Sequence, residues 1–436
     1  MNMIKNVKKL ISFVLVLAFA LTMIAGCGSG SSSEVSASAS TVAAIGSSAA
    51  DTSAAPSTEA AKKEPVELTV WSHLVQNTEV PELKKVAEEW AAKTGNKVKV
   101  LFDATSFQAY IQAANSSKGP DIMYGVANDN LGTFHTAKLL AEVPQGIVTT
   151  DKYSQGAIDA VTIDGKQYAV PVAVESIALF YNTDKVATPP ATWDELITKA
   201  KEVGFMMDIS NLYMAWPLLS GKGAYTYKFN NGVYDVNDLG LGEPAKNGYA
   251  LINSLVNEHK FMKADVNGTI ANGNFKNGKT GFFVGGPWDV ADLKKQTSLK
   301  FGVTTLPAMD GNTMKTFMGV QTAYVSEKSK NKEAAWELVT YLNENAAIPL
   351  YNAGNRIPAL LSAQENQEFK ADAYMTAFAA QAKVGEPLPN IAEMQDTWQP
   401  YQDYMKLVLT KKLSVDEMAK KVDEKIRNLN KQRASK

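Results

Sequence analysis

From Leu68 to about residue 140, short apolar runs alternate with helical patterns, and this alternation restricts the possible folds more than any other feature. Leu68-Thr69-Val70-Trp71 has the β-branched and aromatic character of a strand. Residues 81–94 place Leu83, Val86, Ala87 and Trp90 at three- and four-residue spacing, which predicts a helix that Gly95 can end. Residues 98–102 and 121–124 predict two more strands, and 106–117 and 129–140 two more helices. Strands separated by helices pair in parallel through crossovers, so a sheet covered on both faces is expected and the class is α/β. Farther on, Thr192-x-x-Glu195 and Ser414-x-x-Glu417 are capping boxes that set two helix starts. The last helix aligns Val415, Met418, Val422, Ile426 and Leu429 on one face. No internal repeat is present.

Several chemistries are excluded by what the chain lacks. Cys27 is the only cysteine of 436 residues, so neither a disulfide framework nor a cysteine zinc site can form. His73, His135 and His259 lie far apart and lack metal-protease spacing. There is no phosphate loop of the GxxxxGK[ST] kind and no GxSxG nucleophile elbow. Residues 240–245 match the dinucleotide fingerprint only superficially, and with Pro244 inside them they read as a loop. Asp235-Val236-Asn237-Asp238 lacks the remaining calcium ligands and reads as a solvated turn. A net charge of -1 gives no nucleic-acid footprint. Two carboxylates meeting across a cleft stay open as a hydrolase pair, because no spacing rule singles them out.

The N-terminus carries an address. Lys5, Lys8 and Lys9 precede an uncharged stretch from residue 10 to 26, with small residues just before Cys27. That order reads as a secretory leader, residues 1–26, the alternative being an uncleaved membrane anchor. Residues 28–64 are rich in Ser, Ala, Gly and Thr and have no aromatic side chain, so a disordered tether is expected. The folded body begins at residue 65.

Aromatic residues beside Pro, Gly or Asn are the strongest functional hint. They occur in Tyr213-Met214-Ala215-Trp216-Pro217, Gly286-Pro287-Trp288-Asp289 and Thr397-Trp398-Gln399-Pro400. Each ring could be ordinary core. Alternatively, rings on loops line a cleft and stack on the C–H faces of a sugar; two or three such platforms supply most of a micromolar affinity, about -8 kcal/mol.

The ordered markers Lys118-Gly119-Pro120-Asp121-Ile122, Leu139-Leu140-Ala141-Glu142, residues 168–175, Pro190-Ala191-Thr192-Trp193-Asp194-Glu195, Trp216-Pro217-Leu218, Gly286-Pro287-Trp288 and Leu388-Pro389-Asn390-Ile391 carry a family resemblance. The chain resembles the bacterial extracellular solute-binding proteins of ABC importers, in their maltose/maltodextrin-binding branch. Ile24-Ala25-Gly26-Cys27 likewise resembles the lipobox of bacterial lipoproteins, which implies that Cys27 is acylated and holds the mature protein on the outer face of the cell membrane.

The resemblance implies two α/β lobes with a ligand cleft and a hinge crossed three times. The first lobe would comprise 65–173 plus 322–370, and the second 174–321 plus 371–436. It implies a monomer that closes on an oligosaccharide and presents it to permease subunits and, through them, an ATPase, with no cofactor and no catalysis. Matched position by position, Trp288, Trp398 and Tyr213 keep the family's stacking rings, and Glu175 and Asp129 its hydroxyl-accepting acids. The departures bear on specificity. Gly125 aligns near a family tryptophan, Asn130 near an arginine, Asn211 with a glutamate and Gln402 with an arginine. Val75-Gln76 falls near an Asp-Lys pair, and Phe107 takes a polar position where it could supply the missing platform. Maltose itself is therefore one candidate among oligosaccharides. A secreted carbohydrate hydrolase, a binder of a non-sugar solute and a sensor subunit are the alternatives.

Overall fold

The computed structural model describes residues 64–116, 118–230 and 233–435; Cys27, the leader and residues 28–63 of the expected tether lie outside the described residues. The strands are β1 (Glu67–Ser72), β2 (Lys97–Phe102), β3 (Ile122–Ala127), β4 (Thr162–Ile163), β5 (Lys166–Gln167), β6 (Val170–Glu175), β7 (Ala178–Asn182) and β8 (Phe205–Met206). They continue as β9 (Tyr227–Asn230), β10 (Val233–Leu239), β11 (Phe282–Gly285), β12 (Phe301–Thr304), β13 (Phe317–Val325), β14 (Ile357–Pro358) and β15 (Glu386–Pro387). One sheet runs β14-β6-β13-β3-β1-β2 with β15 joined to β13, and a second runs β12-β7-β11-β8.

The expected opening series is present. Helix α1 (Glu79–Thr94) buries Leu83, Val86, Ala87 and Trp90, and Gly95 ends it at φ 78°. That left-handed conformation suits glycine, and the Gly95 N–H closes the last turn on the Ala91 carbonyl. Helix α2 (Phe107–Ala114) starts at Ser106, whose hydroxyl accepts from Ala109 N–H. Strands β2, β1 and β3 are parallel neighbours, as crossovers require. Both capping boxes form, at Thr192 with Glu195 and at Ser414 with Glu417.

The structure departs from the sequence expectation at defined points. The first sheet is mixed, because β13 runs antiparallel to both β3 and β6. The stretch 129–140 is a 3-10 turn, Asn128–Asn130, followed by a short helix α3 (Leu131–Thr136). Leu139 and Leu140 leave the helix and enter the core instead. Residues 235–238 are strand, not turn: β10 pairs antiparallel with β9, and Asp238 accepts the Tyr225 hydroxyl. Residues 240–245 do connect that strand to a helix, Lys246–Asn257, yet the strand belongs to an antiparallel ribbon rather than a βαβ unit. On the last helix, Met418, Val422 and Ile426 are buried, whereas Val415 and Leu429 are only half-buried.

Two chain passages between the sheets lie side by side. Ser176-Ile177 separates β6 in the first sheet from β7 in the second, and residues 305–316 lead from β12 back to β13. Ser176 and Thr316, both fully buried, share a hydroxyl–hydroxyl hydrogen bond of 2.7 Å that ties the passages together. Glu175 still pairs with Gly319 in the first sheet. Glu175 and β13, from Phe317, therefore belong to the first sheet. Each sheet has its own aromatic core. Tyr110, Phe134 and Tyr324 meet edge-on or tilted in the first, and Phe180 meets Phe275, Phe283, Phe301 and Phe378 in the second.

Candidate functional site

In open α/β sheets the carboxyl ends of the strands form the crevice where ligands bind, because connecting loops leave room there and helix N-termini face it. The candidate residues gather at these ends. Asp129 and Asn130 follow β3, Glu175 ends β6, Asn211 and Tyr213 come soon after β8, and Trp288 follows β11. Phe107 comes shortly after β2. The antiparallel β13 starts at the same edge, which brings Phe317 and Gly319 to it.

The acids are held on the first sheet. Asp129 is 9% exposed; its Oδ1 accepts from the Asn130 amide at 2.9 Å and its Oδ2 from the Gln395 amide at 2.9 Å. Burial raises its pKa to about 6, against the pull of the Gln395 hydrogen bond. Glu175 accepts through Oε1 from the Arg356 guanidinium and, at 3.2 Å, from the Gln321 amide. Arg356 simultaneously donates Nε and Nη2 to Glu79, at 2.6 and 3.1 Å.

The rings meet on one residue that sequence reading missed. Phe317 stacks on Trp216 at 4.3 Å and 10°, tilts against Tyr213 at 6.1 Å and meets Trp398 edge-on at 6.4 Å. Trp216 itself is fully buried and donates its indole N–H to Glu386 at 2.7 Å, so it is core support rather than an open plate. Tyr213 and Trp398 are half-buried, and each begins a helix. The Tyr213 hydroxyl is buried with no hydrogen-bond partner among the described residues. Burial, then the field of Glu175, hold its phenol well above the usual range, against the pull of the nearby Gly319 backbone and with a smaller upward push from Asp129. A Cβ on Gly319 would sit 3.6 Å from this hydroxyl and 3.9 Å from Glu175 Oε2. Tyr213, Glu175, Asp129 and Trp398 are thus brought into one neighbourhood.

The remaining candidates sit apart or serve the local backbone. Trp288 is 48% exposed at the start of the helix Pro287–Lys294, with no ring neighbour among the described residues. Its indole folds back over Gly286, where a Cβ would come within 2.3 Å of the ring, so only glycine permits that pose. Asp289 fixes the turn, accepting from Gly286 N–H and the Asn272 amide. Asn211 is exposed and caps its helix by accepting from Tyr213 N–H at 2.9 Å. Gln402, also exposed, lies one turn beyond Trp398 and accepts from Gln399. Phe107 is half-buried against His73, at 5.0 Å, and Phe134, at 5.6 Å. His73 and Asp103 pair at 3.0 Å beside it.

With this geometry, comparison with known proteins is decisive about kind. A family model described as bacterial extracellular solute-binding protein matches residues 85–377. The chain belongs to that family. As a solute-binding protein it is 30% identical over 309 residues to the galactooligosaccharide-binding protein of Bacillus subtilis, a match covering 67% of this chain and 73% of that one. It is 29% identical over 346 residues to the maltooligosaccharide ABC transporter solute-binding lipoprotein of Streptococcus pneumoniae, covering 74% and 80% of the two chains.

Among solved structures, the maltose-maltodextrin binding protein of Alicyclobacillus acidocaldarius superposes with a TM-score of 0.75 at 37% identity, over 83% of this chain and all of that one. A cyclo/maltodextrin-binding protein complexed with maltotetraose gives 0.78 at 28% identity, over 84% and 98%. The fold of this solute-binding protein is accordingly the two-lobed α/β one with a hinge and a cleft between the lobes. Arg356, Phe317 and Gln395 are the site neighbours that sequence reading did not find. Their partners lie far away in the chain, 277 residues for Glu79 and Arg356, and no spacing pattern announces such contacts.

Proposed function

We propose that this solute-binding protein captures an oligosaccharide in the cleft between its lobes and hands it, unaltered, to the permease of an ABC importer. The observation that carries the reading is the grouping of Tyr213, Phe317 and Trp398 with Glu175 and Asp129 at the strand ends. Rings offer apolar faces to the C–H side of a sugar, and carboxylates accept its hydroxyls with charge-assisted bonds. A buried phenol hydroxyl without a partner is a group a ligand hydroxyl could complete. The relatives, by their names, bind galacto- and maltooligosaccharides, which makes these two classes the first probes.

In this proposal the lobes divide near residues 175–177, 305–316 and 370, and closure places ligand against both walls. Differential affinity for the closed form shifts the population, and the closed form is what the permease receives. Cys27 is the acylated residue that tethers the monomeric protein to the outer face of the membrane, and no cofactor or catalytic residue takes part. The roles of Trp288, Asn130, Asn211, Gln402 and Phe107 as ligand contacts belong to the same proposal.

A thermal-shift screen with maltotriose, maltotetraose and galactooligosaccharides tests it, since a ligand that binds the native state raises Tm. A rise with one class, with no product formed on prolonged incubation, supports the reading. Unchanged Tm with every sugar at millimolar concentration rejects it, and released shorter sugars would favour the hydrolase alternative.

A further inference from the structure

Glu79, Arg356 and Glu175 form a chain of ion pairs that no motif in the sequence marks. The Arg356 guanidinium lies between the two carboxylates, with side-chain exposures of 0% for Glu79, 19% for Arg356 and 18% for Glu175. Every nitrogen of the guanidinium is used: Nε and Nη2 grip Glu79 as a fork, and Nη1 reaches Glu175 Oε1. The backbone is committed to this arrangement. Arg356 is placed by β14, where Ile357 pairs with Val174, the residue before Glu175. Two residues earlier, a Cβ on Gly354 would lie 1.8 Å from Glu79 Oε1, so glycine is required wherever Glu79 takes this pose. Glu79 Oε2 accepts in addition from Val75 N–H at 2.7 Å, in the loop that follows β1. One cation thus links the loop after β1, the turn before β14 and the acid at the crossover to the second sheet.

We infer that Arg356 is a positioning residue of the ligand site, which with Glu79 fixes the carboxylate of Glu175 so that Oε1 is consumed and Oε2 is left to accept from ligand. The inference rests on the proposed function, because it gives Glu175 a ligand to meet. Its physical basis is the difference between a fixed and a free acceptor. A carboxylate on a mobile side chain loses rotamer freedom when it binds, whereas one already held by a planar, forked guanidinium has lost it on folding. Lysine cannot reproduce the fork, since its ammonium is a single point of charge.

The experiment compares maltotriose binding by calorimetry, together with Tm, for the full mature chain and for Arg356→Met, Arg356→Lys, Glu79→Gln and the double variant Glu79→Gln with Arg356→Met. The expected result is a Kd raised at least tenfold in Arg356→Met and three- to tenfold in Glu79→Gln, a residue outside the proposed ligand contacts. Arg356→Lys should fall between wild type and Arg356→Met. The double variant should bind no more weakly than Arg356→Met, because both changes act through Glu175. A Kd within twofold of wild type in folded Arg356→Met overturns the inference, even if Tm has dropped. Should that variant fail to fold, an unchanged Kd in both Arg356→Lys and Glu79→Gln overturns it as well. If wild type binds no oligosaccharide of either class, the proposed function has failed; if wild type binds and these variants bind equally well, only the role of Arg356 has.

Discussion

In the proposed function the ligand meets two walls, and these are built differently. On the first sheet, Asp129 and Glu175 are held by hydrogen bonds to Asn130, Gln395, Gln321 and Arg356, and Asp129 is almost wholly buried. On the second, Trp288 is 48% exposed and Asn211 is exposed. The first wall is prepaid in geometry: its polar groups already have partners, and moving one disturbs others. The second wall leaves an aromatic surface in water, where covering it with a sugar gains apolar contact at little cost in order. The contrast teaches that mutations on one side should trade stability against affinity, and on the other should change affinity alone.

The largest effect expected is on the rigid side. Gly354→Ala drives a Cβ into the Glu79 carboxylate, and the backbone there must shift or the ion pair must break. Overpacking at a buried contact costs about 1–3 kcal/mol, and losing a partner of a buried charge adds to it, so urea unfolding should show a loss of about 3 kcal/mol or more. Native stability in Gly354→Ala would mean that the Glu79–Arg356 chain is loosely held. Next comes the exposed side. Trp288→Ala should weaken oligosaccharide binding at least tenfold, about 1.4 kcal/mol, while Tm barely moves. Unchanged affinity in a calorimetric titration would remove Trp288 from the site and with it the second wall.

Tyr213 sits at the boundary between these behaviours. Its buried hydroxyl lacks a partner among the described residues, so Tyr213→Phe should leave stability equal or higher by about 1 kcal/mol. Binding should weaken severalfold if a ligand hydroxyl completes that group; a loss of stability with affinity intact would show instead that the hydroxyl serves the fold.

The smallest effect is a pH dependence on the rigid wall. Burial raises the Asp129 pKa to about 6, so between the ordinary carboxylate value and about 6 the folded chain holds more protons than the unfolded one. Stability contributed by this group therefore falls as pH rises through that window, and Asp129→Asn should remove the trend. Ligand hydroxyls donate best to the ionised form, so affinity should increase as pH rises through about 6. An affinity in wild type that is flat from pH 5 to 7.5 would exclude Asp129 as an acceptor.

How much of this was written legibly in the chain depends on distance along it. The spacing of Leu83, Val86, Ala87 and Trp90 announces α1, and the Ser and Thr three residues before Glu announce two other helix starts, because a helix reads its own neighbours. Residues 235–238 read as a turn, yet they lie inside the strand Val233–Leu239, whose alternation of exposed and half-buried residues carries little hydrophobic signal. The antiparallel β13 was also invisible, because strand direction is decided by partners some 150 to 200 residues away, as for Gly319 with Glu175 and Gln321 with Ala127. In the site, the rings beside Pro and Gly stood out locally. Phe317, which ties Tyr213, Trp216 and Trp398 together, did not, for it sits in an apolar strand like any core residue.

Crystallising the mature protein with a maltooligosaccharide, or with a galactooligosaccharide if that class wins the screen, puts the whole account at risk in one measurement. The account predicts sugar rings lying within van der Waals contact, about 4 Å, of Tyr213, Trp398 and Trp288, with hydroxyls on Glu175 and Asp129. Electron density for the sugar on some other surface, with those three rings bare and those two acids untouched, would contradict it.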